Sequence, residues 1–283
     1  MTKLEIRQIY YNKKTFSQVP HNFIPLNNIS GDKSWFEFWP ILKFLEGREL
    51  EENTFYGFFS PKFYLKTGFL SEDTIALIRA NKNKDVILFS SDIDQLSFFI
   101  NQWEQGEIYH QGITKVTQDF LDHSGVKIRI SELVTSTKNS VNSNFIIAKK
   151  NYWEKWKSLA NQFMQYADNT QNNIFYMKVR HRKIKLPMKV FIQERLPSLI
   201  LADGSFSTLA IKPKNSFFSA SYFVKSIENK KNLEACDEIK NLIIKNNPNK
   251  NLIKEFKKTR ERILLKKDAQ KIINSFKNPN KLI

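Results

Sequence analysis

The run Asp85-Val86-Ile87-Leu88-Phe89 constrains the fold more than any other stretch of this chain. Four apolar residues in succession are too few for a helix and read as a strand buried on both faces. The run ends abruptly at Ser90-Ser91-Asp92-Ile93-Asp94, where the polarity switches. Residues 4–11 alternate apolar with polar and then turn polar at Asn12-Lys13-Lys14, as a strand ending in a loop does. Phe55-Tyr56-Gly57-Phe58-Phe59 and Phe145-Ile146-Ile147-Ala148 are two further short strands. Helical spacing occurs over 35–45, where Pro40 interrupts or opens the helix, and over 71–81 with Ser71 as its N-cap. It recurs over 94–104, over 114–124, around Trp153, Trp156, Leu159 and Phe163, and beside Val190 to Leu196, where Pro197 stops or bends a helix. Strands alternating with helices predict a layered α/β fold.

The 283 residues leave room for one large domain or two modest ones, and no internal repeat divides them. From about Lys225 the chain turns Lys- and Asn-rich. Leu252, Ile253, Phe256, Ile263, Leu264, Ile272 and Ile273 there form one helical stripe. The expected division is therefore a domain over 1–224 and a basic helical extension over 225–283. Such an extension either lies on a membrane or packs on its own domain, and the pattern fits both. The net charge of +17 favours nucleic acid, an anionic membrane face or a diphosphate-bearing substrate, although a Lys/Asn-rich composition alone also produces it. The single cysteine, Cys236, excludes an intrachain disulfide and a Cys-rich zinc site. With no signal-peptide pattern at Met1 to Arg7 and no apolar run of about 20 residues, a cytoplasmic location is expected.

Four segments can carry chemistry. Asp92 and Asp94, two apart at a strand end, can turn two carboxylates toward one Mg²⁺ or Mn²⁺ that also holds a diphosphate, or can simply cap the helix that follows. Trp103-Glu104-Gln105-Gly106-Glu107-Ile108-Tyr109-His110-Gln111-Gly112 concentrates carboxylates, an imidazole, aromatics and glycines. Those types stack on sugars, bond hydroxyls and move protons; equally, Gly106 can end a helix and Gly112 can make a turn. Lys62, in Ser60-Pro61-Lys62-Phe63 ahead of Lys66-Thr67-Gly68, can meet a phosphate as a point charge or be an ordinary surface lysine. Glu194, in the apolar setting Val190-Phe191-Ile192 and Leu196, is either ion-paired with its surroundings or a base held in a cleft. No Walker loop, G-x-G-x-x-G, G-x-S-x-G or H-E-x-x-H is present, and the four histidines are scattered.

Taken in order, several motifs resemble a family of bacterial proteins encoded among capsule and O-antigen biosynthesis enzymes. They are Ile9-Tyr10-Tyr11, Phe23 to Asn28, Trp35 to Pro40, Tyr56 to Phe63 with Lys66-Thr67-Gly68, Asp85 to Gln95, Asn101 with Glu104 to Glu107, His110-Gln111-Gly112, Asn144 to Lys149 with Trp153 and Trp156, and Val190 to Ser198. The likeness spans roughly residues 4–215 and leaves out the C-terminal helices; His110-Gln111-Gly112 stands where the family pattern has His-Pro-Gly. It implies a GT-A-like glycosyltransferase with a mixed central sheet flanked by helices. The implied donor is a nucleotide-diphosphate hexose, galactofuranose among the candidates, and the acceptor a glycan or lipid-linked glycan. The expected roles are that Tyr10, Tyr11 and Asn12, at the end of the first strand, help seat the base or ribose, and that Asp92 and Asp94 hold Mn²⁺ or Mg²⁺ or bond the donor. Lys62 faces the diphosphate, and Glu107 and His110 orient sugar hydroxyls. An inverting transfer needs one carboxylate to take the acceptor's proton, with Glu194 the first choice and Glu107 the second. Two readings compete: a basic nucleic-acid-binding protein and a non-catalytic scaffold peripheral to an anionic membrane. No DNA- or RNA-binding module is recognisable, so nucleic acid is not an expected partner.

Overall fold

The structure is a computed structural model describing residues 2–89, 93–141, 143–169, 174–181, 184–214, 224–225, 228–246 and 250–266, with backbone alone for 93, 94, 180, 181 and 184. The chain opens with β1 (Lys3–Tyr10), α1 (Lys13–Phe16), β2 (Ile24–Asn27), α2 (Phe38–Glu46) and β3 (Thr54–Phe59). Then come α3 (Phe63–Thr67), α4 (Ser71–Ala80), β4 (Val86–Leu88), α5 (Ile93–Phe98), α6 (Gln102–Tyr109) and α7 (Ile113–His123). After β5 (Ile146–Ala148) and the long α8 (Lys150–Asn169), the strands β6 (Lys178–His181) and β7 (Ile184–Pro187) form a separate hairpin. Helices α9 (Met188–Gln193) and α10 (Leu196–Leu201), strand β8 (Thr208–Ala210), and helices α11 (Lys230–Asn246) and α12 (Lys250–Glu261) complete the described chain.

Six strands form one mixed sheet in the order β2-β1-β3-β5-β4-β8, with every strand parallel to β1 except β5. Its two apolar faces explain the continuous runs seen in the sequence. Ile9, Phe58, Val86, Leu88 and Ile146 point to the side covered by α2 and α7–α10, while Ile6, Phe55, Phe59, Ile87, Phe89 and Ile147 meet Phe63 and Ile78 of α3 and α4. Because β2 lies on one side of β1 and β3 on the other, the chain reverses its lateral direction beside β1. In open α/β sheets that reversal leaves a crevice at the carboxyl ends of the strands, where ligands bind. The edge at which β1, β2, β3, β4 and β8 end is called the carboxyl edge below.

Several local expectations change in detail. The apolar spacing over 94–104 is not one helix: the chain breaks after Phe98, and the Asn101 side chain accepts from the Trp103 and Glu104 amides at 2.9 Å to start α6. Ser71 is the first residue of α4, with Leu70 at the N-cap. Trp35 lies in the loop before α2, and Pro40 falls in that helix's first turn, where a missing N–H costs no hydrogen bond. Pro197 likewise begins α10; the helix breaks earlier, at Glu194-Arg195. Gly106 is interior to α6, so it does not end a helix, and Gly112 is the left-handed N-cap of α7.

The C-terminal helices share a core with the rest of the chain. Phe98 and Phe99 pack with Leu233, Cys236, Ile239, Ile243, Phe256 and Ile263. The buried Lys240 ammonium donates to the Leu96 carbonyl and, at 2.9 Å, to that of Phe99. Arg260 reaches both Glu104 carboxylate oxygens, at 2.9 and 3.0 Å. The apolar stripe of α11 and α12 is therefore covered by α5 rather than offered to a membrane. Leu242 and Ile244 of α11 and Leu264, past the end of α12, remain exposed, and Ile272 and Ile273 lie outside the described residues.

Candidate functional site at the carboxyl edge

The loop joining β2 to α2 is held in an unusual conformation. Phe36 has a φ of 49°, which is strained for a residue with a bulky side chain. The side-chain amide of buried Asn28 donates to the Phe36 carbonyl at 3.2 Å, and that of Gln193 in α9 donates to the Trp35 carbonyl at 3.2 Å. A Cβ on Gly31 would stand 1.9 Å from Asn28 Oδ1, so only glycine lets the loop pass over this amide. The buried Lys189 ammonium donates to Ser34 Oγ at 3.0 Å and lies 3.8 Å and 3.7 Å from the Trp35 and Tyr176 ring centroids. Burial pushes its pKa down to about 8, against the pull of Asp168 and Asp32.

This braced loop delivers Glu37 to the carboxyl edge, beside the residues leaving β1 and the α9–α10 junction. The Tyr11 hydroxyl is buried near the Glu37 carboxylate but outside ordinary hydrogen-bond geometry. Burial, and then Glu37, push its ionisation well above the usual phenol range. Glu194 follows the last residue of α9, partly open to solvent yet with protein packed densely around its carboxyl group. Burial raises its pKa above the ordinary glutamate value; Arg195 and Lys66 pull it down, and Glu37 adds to the rise. The Arg195 side chain is engaged by polar groups of three other residues. Its guanidinium donates to the Gln102 and Phe191 carbonyls and to Gln105 Oε1, at 3.0, 2.7 and 2.7 Å. Arg195 therefore ties α6 to α9 and α10.

Across the crevice, Lys62 is exposed at the N-cap of α3, immediately past β3. One turn on, the Lys66 ammonium donates to Ser143 Oγ at 2.9 Å. Ser143 and Asn144, which lead into β5 at this same edge, both have positive φ (74° and 54°). Three non-glycine residues in the left-handed region thus gather at one end of the sheet. So do three buried polar atoms without a hydrogen-bond partner: the Tyr11 hydroxyl, Asn28 Oδ1 and Gln193 Oε1. Unmade bonds of this kind each cost about 1–3 kcal/mol, and a ligand is one way of satisfying them.

Other residues singled out in the sequence have structural duties. Asn12 caps α1, its side chain accepting from the Thr15 amide at 2.9 Å. Tyr10 packs edge-on against Phe16, with ring centroids 5.0 Å apart. Both Glu107 oxygens accept backbone amides, from Gly112 at 2.9 Å and Thr114 at 2.7 Å, which fixes the start of α7. His110 is buried and stacked on Phe191, 3.5 Å between ring centroids, one turn before Glu194. Asp92 lies outside the described residues, as does the side chain of Asp94, whose backbone opens α5 just beyond β4. Among the described residues, no group of three or more His, Cys, Asp or Glu side chains is arranged to hold a metal ion. Nor is any helix among them long and apolar enough to cross a membrane.

Sequence reasoning missed Glu37 and Lys189. Glu37 carried a signal, as the lone carboxylate within Trp35-Phe36-Glu37-Phe38-Trp39, where its charge has no local partner. Lys189 sits in a stretch with nothing to separate it from a surface lysine. Comparison with protein-family models, curated protein sequences and solved structures finds no match in any of the three.

Proposed function

We propose that this chain is a glycosyltransferase of GT-A-like fold that moves a hexose from a nucleotide-diphosphate sugar to a glycan or lipid-linked acceptor. The observation carrying this reading is the meeting of Glu194, Glu37, Tyr11 and Lys66 at the carboxyl edge, beside the reversal point of a mostly parallel sheet. Tyr10 and Tyr11, leaving β1, form the wall against which the base or ribose rests. Lys62 and Lys66 face the diphosphate and offset the charge that grows there as the glycosidic bond breaks. Asp92 and Asp94, which follow β4, would hold Mn²⁺ or Mg²⁺, whose contribution is to neutralise charge on the departing diphosphate.

Glu194 takes the proton. As the acceptor oxygen bonds to the anomeric carbon, the bond to the diphosphate oxygen breaks and its electron pair leaves with the nucleotide. The acceptor's proton passes to Glu194. A raised pKa suits this role, because a more basic carboxylate is a better proton acceptor once it is ionised. Glu107 is the weaker choice, since both of its oxygens are engaged by backbone amides.

The deciding measurement pairs a thermal-shift screen against nucleotide-sugars, with and without Mn²⁺, with Glu194→Gln. Stabilisation follows occupancy of the site, so a hit names the donor. The variant should keep that stabilisation and lose about 100-fold or more in turnover. Turnover within a few-fold of wild type would remove Glu194 from the role, and a screen without any hit would remove the donor class.

A further inference from the structure

Large apolar side chains stand in solvent on the short elements that rim the carboxyl edge. Phe16 ends α1, Tyr64 and Leu65 form the outer side of α3, and Leu70 and Ile29 lie in the adjoining loops; their exposures run from 49% to 63%. α1 and α3 belong to one surface, because Phe23, a few residues beyond α1, packs on Phe59 and Phe63 with centroids 5.7 and 6.4 Å apart. The same elements carry exposed lysines: Lys13 and Lys14 on α1, Lys62 and Lys66 on α3. Neither residues 12–31 nor residues 53–71 contain a single Asp or Glu. In a chain with 28 acidic residues, their absence from both segments gives this rim an excess of positive charge, with Asp32 and Glu72 at its margins.

We propose that the rim is a docking surface for an anionic lipid bilayer. Aromatic and aliphatic tips beside lysines that outnumber the carboxylates around them suit insertion at the headgroup level: the apolar ends enter the acyl boundary and the ammonium groups meet lipid phosphates. Nucleic acid would use the lysines and the rings, yet has no use for exposed Leu65, Leu70 and Ile29. A protein partner's interface core would be depleted in lysine. The contrast with α11 and α12 sharpens the assignment. Their apolar stripe is largely spent on Phe98 and Phe99, and what stays exposed on α11, Leu242 and Ile244, has the exposed carboxylate Glu238 one turn from Leu242. If the transfer reading above holds, this docking turns the mouth of the site toward the bilayer, where a lipid-linked acceptor would present its glycan.

Flotation of the full chain with vesicles tests the surface without needing a donor. Binding is expected to phosphatidylcholine vesicles carrying about 30 mol% phosphatidylglycerol and not to phosphatidylcholine alone. Phe16→Glu with Leu65→Glu, both at positions more than half exposed, should cut the bound fraction at least about tenfold. Lys257→Gln with Lys258→Gln, on the exposed side of α12, lowers the net charge by the same two units and should cut it no more than about threefold. Melting temperature and tryptophan fluorescence verify that both variants are folded. Equal losses in the two variants, or no binding to the anionic vesicles, would overturn the proposal. So would retention on a single-stranded oligonucleotide that Leu65→Glu leaves unchanged. Vesicle binding in a protein that no nucleotide-sugar stabilises would uphold this surface and remove only the transfer reading.

Discussion

Glu194 and Arg195 are neighbours in sequence with opposite fates, and the difference is geometric. The arginine reaches α6 and is consumed by carbonyls, whereas the carboxylate stays at the crevice with only longer-range charges to balance its burial. Those charges give predictions of opposite sign. Glu37→Gln removes a carboxylate that raises the Glu194 pKa, so the acidic limb of the pH–rate profile should move to lower pH. Lys66→Met removes a cation that lowers it, so that limb should move to higher pH. Shifts in the same direction would mean that the profile reports another group. Gly106 tests the Arg195 anchor. A Cβ there would lie 3.0 Å from Ile113 Cγ2 and 3.2 Å from the Arg195 guanidinium, so Gly106→Ala should destabilise the fold by about 1–3 kcal/mol in urea unfolding. In an open helix the same change would stabilise.

At the scale of elements, the segment from β4 to α6 depends on the C-terminal helices. Lys240 holds the carbonyls that end α5, and Asp237 accepts from the Thr137 amide and hydroxyl at 2.9 and 2.7 Å. Burial lowers the Lys240 pKa to about 8. A depressed pKa means that the unfolded chain binds the proton more tightly. The contribution to stability is full at pH above the ordinary lysine value and is lost as pH falls through about 8. The stability difference between wild type and Lys240→Met should therefore change between pH 10 and pH 8 in the direction that disfavours wild type on acidification. Lys189 titrates in the same window and is present in both proteins, so it cancels in the difference; the thiol of Cys236, which is coupled to Lys240, is removed from both by Cys236→Ser. A flat difference would mean that the ammonium is solvated. On the opposite side of the molecule, β2 is an edge strand carrying Pro25, which blunts strand-to-strand association.

Across the whole molecule, the expected boundary near residue 225 does not separate two independent cores. All five tryptophans, Trp35, Trp39, Trp103, Trp153 and Trp156, precede it, while α11 and α12 follow it. Urea unfolding followed by tryptophan fluorescence and by far-ultraviolet circular dichroism should give coincident transitions, because Phe98 and Phe99 would be stripped of their cover if the helices left first. A dichroism change preceding the fluorescence change would show a separable appendage.

The sequence by itself determined the layered α/β class, four of the eight described strands (β1, β3, β4 and β5) and most of the helices. Apolar periodicity is a local property, and Val86 to Phe89 or Trp153 to Phe163 write it within a few residues. Strand order, the antiparallel β5 and the covering of the C-terminal stripe were decided only by tertiary structure, because they depend on which distant surfaces match. The same holds for the site. Glu194 was legible as a carboxylate in apolar company, but its approach to Glu37, 157 residues earlier, exists only once α9 docks against the loop before α2. Charge interactions weaken with distance and strengthen with burial, and a sequence contains neither.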